Sequence, residues 1–153
     1  MTSLFTLLPD SVGVIRAETK HAILVQLAQR FAAVYELDAQ DVLERLEERE
    51  ALGSTGFGRG VAIPHARVPG LKRPVAALLR LKEPVDFAAA DAMPVDLVFG
   101  LLSPENAGVT HLHALAAISR LVRDERTHEA LMEARDAQTL YALLANATDR
   151  DAA

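Results

Sequence analysis

The sequence predicts an α/β sandwich with a sheet in its middle, on three observations. Helical periodicity occupies both ends of the chain. The centre changes to short apolar runs bounded by Gly or Pro, and no long linker of Pro, Gly or Ser separates the two patterns. At 153 residues the chain suits one domain, since two independent cores would each be small.

After a short opening element, residues 12–16 read as a strand, and Glu18 with Thr19 supplies a helix start. Leu24, Leu27, Ala28 and Phe31 then fall at i, i+3, i+4 and i+7, one stripe of an amphipathic helix facing a core. Asp38, with Asp41 three residues on, opens a second helix as a weak capping box. This helix carries Val42, Leu43 and Leu46 inward, Glu44, Glu47 and Glu48 outward, and ends before Gly53. Residues 61–63, 75–81 and 95–102 read as strands; the last two are almost continuously apolar, as strands covered on both faces are. From about Val109 a helix returns, with His111, Leu115, Ile118 and Val122 along one face. Two shorter helices follow, one holding Leu131 and Ala134, the other capped by Asp136 and holding Leu140, Leu143, Leu144 and Ala147. The tail 149–153 is expected to fray, leaving residues 1–148 as the domain.

Composition removes several function classes. With 16 basic against 21 acidic residues the formal charge is −5, so there is no broad basic footprint for nucleic acid. No cysteine is present, which excludes disulfides, thiolate metal sites and a cysteine nucleophile. The longest apolar stretches fall far short of the roughly 18 residues of a membrane span, and no signal-peptide pattern opens the chain. A cytoplasmic protein without membrane insertion is expected.

Chemistry concentrates at Gly53-Ser54-Thr55-Gly56-Phe57-Gly58-Arg59-Gly60-Val61-Ala62-Ile63-Pro64-His65. Four glycines between 53 and 60 carry a large entropic cost, so either an anion cradled by loop amides or a flexible helix-to-strand connection accounts for them. Ser54 and Thr55 would add hydroxyl donors. A Walker loop is absent, because no Gly-Lys-Ser or Gly-Lys-Thr occurs; the dinucleotide fingerprint and the Gly-x-Ser-x-Gly elbow fail as well. His65 follows an apolar strand, between Pro64 and a positive charge at Arg67, a position suited to a phosphorus-attacking imidazole. By itself such a histidine is more often an ordinary surface residue. Arg49, at the end of the second helix, has the planar fork that suits phosphate, although the helix dipole alone also favours an arginine there. His111 and His113 lie two apart on a helix and so cannot readily hold one metal ion.

Taken together, Arg49-Glu50, the Gly53-Ser54-Thr55-Gly56 to Ile63-Pro64-His65 run, and His111-Leu112-x-x-Leu115 resemble the enzyme IIA domain of the fructose, mannitol and nitrogen-regulatory branch of the bacterial phosphotransferase system. The resemblance extends in order over nearly the entire chain. It implies a mixed β-sheet between helical layers, a three-layer sandwich, and a phosphohistidine carrier. His65 would accept a phosphoryl group from an HPr-type phosphocarrier, with His111 and Arg49 beside it and Ser54, Thr55 and Gly56 on the phosphate side. No cofactor and no metal is implied. Departures from the pattern are Phe57, where an aliphatic residue is usual, and Ala66, where glycine is common. With no attached carrier, IIB or IIC segment, the chain is most similar to the nitrogen-regulatory type, which acts on regulated target proteins. A sugar-branch IIA that passes phosphate to an enzyme IIB and a phosphate-free interaction domain are the alternatives. Phe57 and Val68 are expected to form an apolar rim around His65 for docking.

Overall fold

The computed structural model describes residues 4–152, with side chains through Thr148. After a 3-10 turn at Pro9–Ser11 come β1 (Val12–Ile15), α1 (Lys20–Tyr35) and α2 (Ala39–Ala51). The centre holds β2 (Gly56–Gly58), β3 (Val61–Ala62), β4 (His65–Val68), β5 (Val75–Val85) and β6 (Val95–Pro104). Helices α3 (Val109–Arg123), α4 (Glu125–Glu133) and α5 (Ala137–Ala152) close the chain. The six strands form one mixed sheet in the order β1-β5-β6-β3-β2, with β4 also paired to β6. The sheet lies between α1 and α2 on one face and α3, α4 and α5 on the other, a three-layer single domain.

Helix ends follow side-chain chemistry. Thr19 accepts from Ala22 N at the start of α1, and Asp38 accepts from Gln40 N and Asp41 N at the start of α2. The expected capping box at Asp38 is one-sided, because the Asp41 carboxylate turns to Arg45 instead (3.2 Å). At the other end of the chain, Arg80 Nη1 reaches from β5 to the carbonyls of Leu131, Met132 and Ala134, which satisfies the last turn of α4. Helix α5 has 16 residues, as many as α1, where a shorter helix was expected. Its backbone runs to Ala152, through most of the stretch read from the sequence as a fraying tail; residue 153 lies outside the described residues.

Alternation along the two central strands builds both cores. Leu78, Leu97, Phe99 and Leu101 face Ala114, Ile118, Leu121, Leu140 and Leu144. Leu79, Val98 and Leu102 face Leu24, Leu27, Phe31 and Leu46. Strand β5 pairs antiparallel with β6, whose other side receives β3 and then β4, both parallel. Val61 sits opposite Leu97, Ala62 opposite Val98, and His65 opposite Leu101, so the residue offset is the same across the break at Ile63 and Pro64. Pro64 has no N–H for the ladder, yet its carbonyl still accepts from Leu101 N at 2.9 Å. His65 therefore begins a strand with its backbone fixed by the middle of the sheet.

At one edge of the sheet, β1 is flanked by side chains from α1: Gln26 Nε2 donates to Arg16 O (3.1 Å) and Arg30 Nη1 to Asp10 O (3.1 Å). No described helix is long and apolar enough to cross a membrane.

Helix α1 packs tightly on β6 at Gly100, where a Cβ would come within 2.9 Å of both Leu27 and Phe31. Both neighbours are fully buried. Gly100→Ala is expected to lower stability by about 1–3 kcal/mol, the usual cost of overpacking a filled core. Urea unfolding checks it, and an unchanged midpoint would contradict this close packing.

Candidate functional site

Three elements converge on one open cleft of about 410 Å3, with Arg49, Leu52, His65, Arg67, His111 and Leu112 among its walls. Arg49 comes from the last turn of α2, His65 from the first residue of β4 and His111 from the first turn of α3. The structure thus brings together the three residues singled out as catalytic in the sequence.

His65 is half-buried, and its Nδ1 lies 2.7 Å from the carbonyl oxygen of Ile63. A carbonyl only accepts, so Nδ1 carries the hydrogen and Nε2 the lone pair. Arg49 Nε donates to that Nε2 at 3.3 Å, and Arg49 Nη1 donates to Gly53 O at 2.8 Å, tying the guanidinium to the turn after α2. The ring of His111 is 5.7 Å from that of His65, centroid to centroid, and inclined by 44°. His111 Nδ1 is 2.7 Å from Ser103 Oγ, and both residues are buried. Arg67 Nε donates to Ala107 O at 2.8 Å.

Both imidazoles are held neutral. Burial pushes the His65 pKa below its ordinary value; the Ile63 carbonyl opposes this, while the positive charge of Arg49 acts with burial. His111 is lowered to about 4, first by burial and then by the charge of Arg67 and by His65.

Behind the cleft is a buried acid to which the sequence reading gave no role. Glu50 accepts from Thr55 N at 2.9 and 3.1 Å, from the Thr55 hydroxyl, and from Lys20 Nζ at 2.8 Å. The Lys20 ammonium also lies 4.8 Å from the centre of the Phe87 ring. One carboxylate thus ties the end of α2 to the turn before β2 and to the start of α1. A signal for it was present: Val42, Leu46 and Glu50 are spaced by four on α2, which puts an acid on the buried stripe. Ser103 gave no such signal.

Ser54, Thr55 and Gly56 have partners within the chain. Ser54 Oγ donates to Phe87 O (2.7 Å) and accepts from Gly56 N (3.0 Å), while Thr55 serves Glu50. The glycines shape a hairpin: β2 and β3 are joined through Gly58, Arg59 and Gly60, all at positive φ. At Gly60 a Cβ would stand 3.0 Å from Asp96 Oδ1. None of residues 53–60 is among the walls of the cleft, so the hollow beside His65 is lined by side chains of α2, β4 and α3 in place of the expected glycine amides. The apolar rim also differs from expectation. Val68 is 1% exposed within the core, and Phe57 packs on the opposite core with Arg123 5.2 Å from its ring centre. Leu52 and Leu112 take that place, at 85% and 58% exposure. His113 is exposed and turned away from His111, and among the described residues no cluster of three or more potential metal ligands occurs.

Comparison with known proteins identifies the family and the fold. Residues 8–147 match the family model described as phosphoenolpyruvate-dependent sugar phosphotransferase system, EIIA 2. A nitrogen regulatory protein of Bradyrhizobium diazoefficiens is 44% identical over 131 residues, 86% of each chain. The fructose-specific EIIA component of a phosphotransferase system in Haloferax volcanii is 38% identical over 126 residues, 82% of this chain and 80% of that one. The crystal structure of the nitrogen regulatory protein IIA-Ntr from Neisseria meningitidis superposes with a TM-score of 0.83 at 37% identity, covering 90% of this chain and 95% of that one.

Two measurements probe the site's construction. Glu50→Ala strands the Thr55 amide and the Lys20 ammonium, and is expected to cost about 2–4 kcal/mol by urea unfolding; a loss below about 0.5 kcal/mol would deny Glu50 its linking role. His111 binds a proton near pH 6.5 when unfolded but only near 4 when folded. Its contribution, on the order of 2–3 kcal/mol, is full above pH 6.5 and lost as pH falls toward 4. The acid-side decline in stability is therefore expected to be shallower in His111→Asn than in the unaltered chain; equal declines would rule His111 out as its source.

Proposed function

Because the chain belongs to the EIIA 2 family of the phosphoenolpyruvate-dependent sugar phosphotransferase system, we propose that His65 Nε2 accepts a phosphoryl group from the phosphohistidine of an HPr-type carrier, and that the chain acts as a nitrogen-type regulator in the cytoplasm. One observation carries the reading. The Ile63 carbonyl commits Nδ1 as a donor, which leaves the lone pair on Nε2, inside a cleft that also holds a guanidinium and a second neutral imidazole.

The chemistry follows from that arrangement. The His65 Nε2 lone pair forms the new N–P bond as the bond from phosphorus to the donor's ring nitrogen breaks, and that electron pair returns to the donor. No proton has to move, because Nδ1–H stays on Ile63 O throughout, where it also stabilises the positive charge that the substituted ring acquires. Arg49 Nε, which rests on Nε2 at 3.3 Å, shifts onto the phosphoryl oxygens as phosphorus arrives. Charge spread over three equatorial oxygens is met by Arg49, Arg67 and His111, all lining the cleft. Ser54, Thr55 and Gly56 act one step back, by holding the turn that Arg49 Nη1 grips at Gly53 O. Neutral His65 at pH 7 is the reactive form, which the lowered pKa favours.

Exposed Leu52 and Leu112 flank the charged cleft and suit a protein donor whose own active centre must be pressed against His65. The regulatory reading draws on the nitrogen regulatory relatives. A sugar-branch role is favoured by fructose-specific relatives, among them the EIIA component of Haloferax volcanii.

With phosphoenolpyruvate, enzyme I and an HPr-type carrier, the chain is expected to gain acid-labile label that His65→Ala lacks; equal labelling of the two would end the proposal. Arg49→Ala is expected to slow labelling by about 100-fold with the fold intact, the scale of losing one donor to a charged transition state. Onward transfer to an enzyme IIB in the same assay would select the sugar-branch reading. Absence of label on either chain would leave an interaction domain.

A further inference from the structure

Ser103 sits on β6 with none of its surface exposed, and among the described residues its hydroxyl meets one polar group, His111 Nδ1, at 2.7 Å. A serine hydroxyl has one hydrogen to give and His111 Nδ1 can either donate or accept. If Nδ1 donated, the serine hydrogen would be sealed in the core with no acceptor. If the serine donates, every polar atom of the pair is satisfied. From this accounting, we propose that Ser103 is a positioning residue: it donates to His111 Nδ1 and so fixes the ring as the Nε2–H tautomer, presenting an N–H to the phosphoryl group on His65.

The rest of the geometry agrees with this assignment. Among the described residues the sealed side-chain atoms without partners are Asp96 Oδ1 and Thr148 Oγ1, so His111 Nε2 is not sealed off; it opens to the cleft that His111 lines. With its pKa lowered to about 4, the ring is uncharged at pH 7 and its tautomer decides what it offers. The two histidines are then locked in opposite senses. A carbonyl, which can only accept, places the hydrogen of His65 on Nδ1 and leaves a lone pair at Nε2. A hydroxyl with nowhere else to donate places the hydrogen of His111 on Nε2. One ring supplies the nucleophile and the other a donor, as transfer to the first requires. Register ties the arrangement to the sheet, since Ser103 pairs with Arg67 just as Leu101 pairs with His65.

The use of this donor rests on the phosphoryl transfer proposed above, whereas the lock itself is read without it. In a long-range 1H–15N spectrum of the full chain labelled at histidine, at pH 7, His111 is expected to show an unprotonated Nδ1 and a protonated Nε2. His65 is expected to show the reverse and serves as the internal reference. A protonated His111 Nδ1 would overturn the proposal. Ser103→Ala is expected to move both His111 nitrogens toward averaged shifts and to slow labelling of His65 on the order of tenfold, a part of what one such donor contributes. Ser103→Thr, which keeps the hydroxyl, is expected to restore both. Unchanged shifts or an unchanged rate in a folded Ser103→Ala would overturn it equally. Should that variant fail to fold, Ser103→Cys offers a weaker donor of similar size, and shifts identical to those of serine would count against the lock. A chain with the Nε2–H form that takes no label overturns the relay reading and leaves the lock standing, so the two failures are told apart.

Discussion

The hydrogen bond from His65 Nδ1 to the Ile63 carbonyl is the constraint on which the site depends. A side chain bonded to a backbone oxygen two residues earlier is possible because the chain breaks its ladder there without losing register. Ile63 spends its amide on Thr55 O, and Pro64 has no amide to spend. The sheet on either side holds both partners in place, so the ring's tautomer and aim are fixed by β6 more than by anything in the cleft. Arg49 then has one direction from which to approach, and it is anchored at Gly53 O.

Glu50 makes that anchoring rigid. An acid removed from water is tolerated only when its oxygens are met, and here an amide, a hydroxyl and an ammonium meet them. The consequence is a division of labour between adjacent residues of α2: Arg49 faces the cleft, and Glu50 faces inward to hold the segment that carries it. The Ser-Thr-Gly turn belongs to this inner layer. Its small residues are explained by tight contact with Phe87 and Ala89, where a Cβ at Gly56 would fall within 2.7 Å of Ala89.

Local physics made much of this legible in advance. The stripes of α1 and α2 and the face of α3 follow from spacing alone, and Thr19, Asp38 and Asp136 were visible as caps. Strands β5 and β6 declared themselves by almost continuous apolar runs. What was not legible depended on partners distant in the chain. Strand β4 is short and half-exposed, and becomes a strand only because β6 lies beside it. The glycine run looked like an anion cradle because nothing local indicated that its hydroxyls turn toward Phe87 and Glu50. Val68 looked like rim because the covering helix is remote in sequence. Ser103 is an ordinary serine at the end of an apolar strand until His111 is folded over it.

The two ends of the sheet have a consequence for how other proteins engage the molecule. Outermost β1 is bracketed by Gln26 and Arg30, and outermost β2 is three residues long. Both borders are short, four residues in β1 and three in β2, so each gives a foreign segment few peptide groups on which to zip. Borders this short favour attachment through patches of side chains over the addition of a strand.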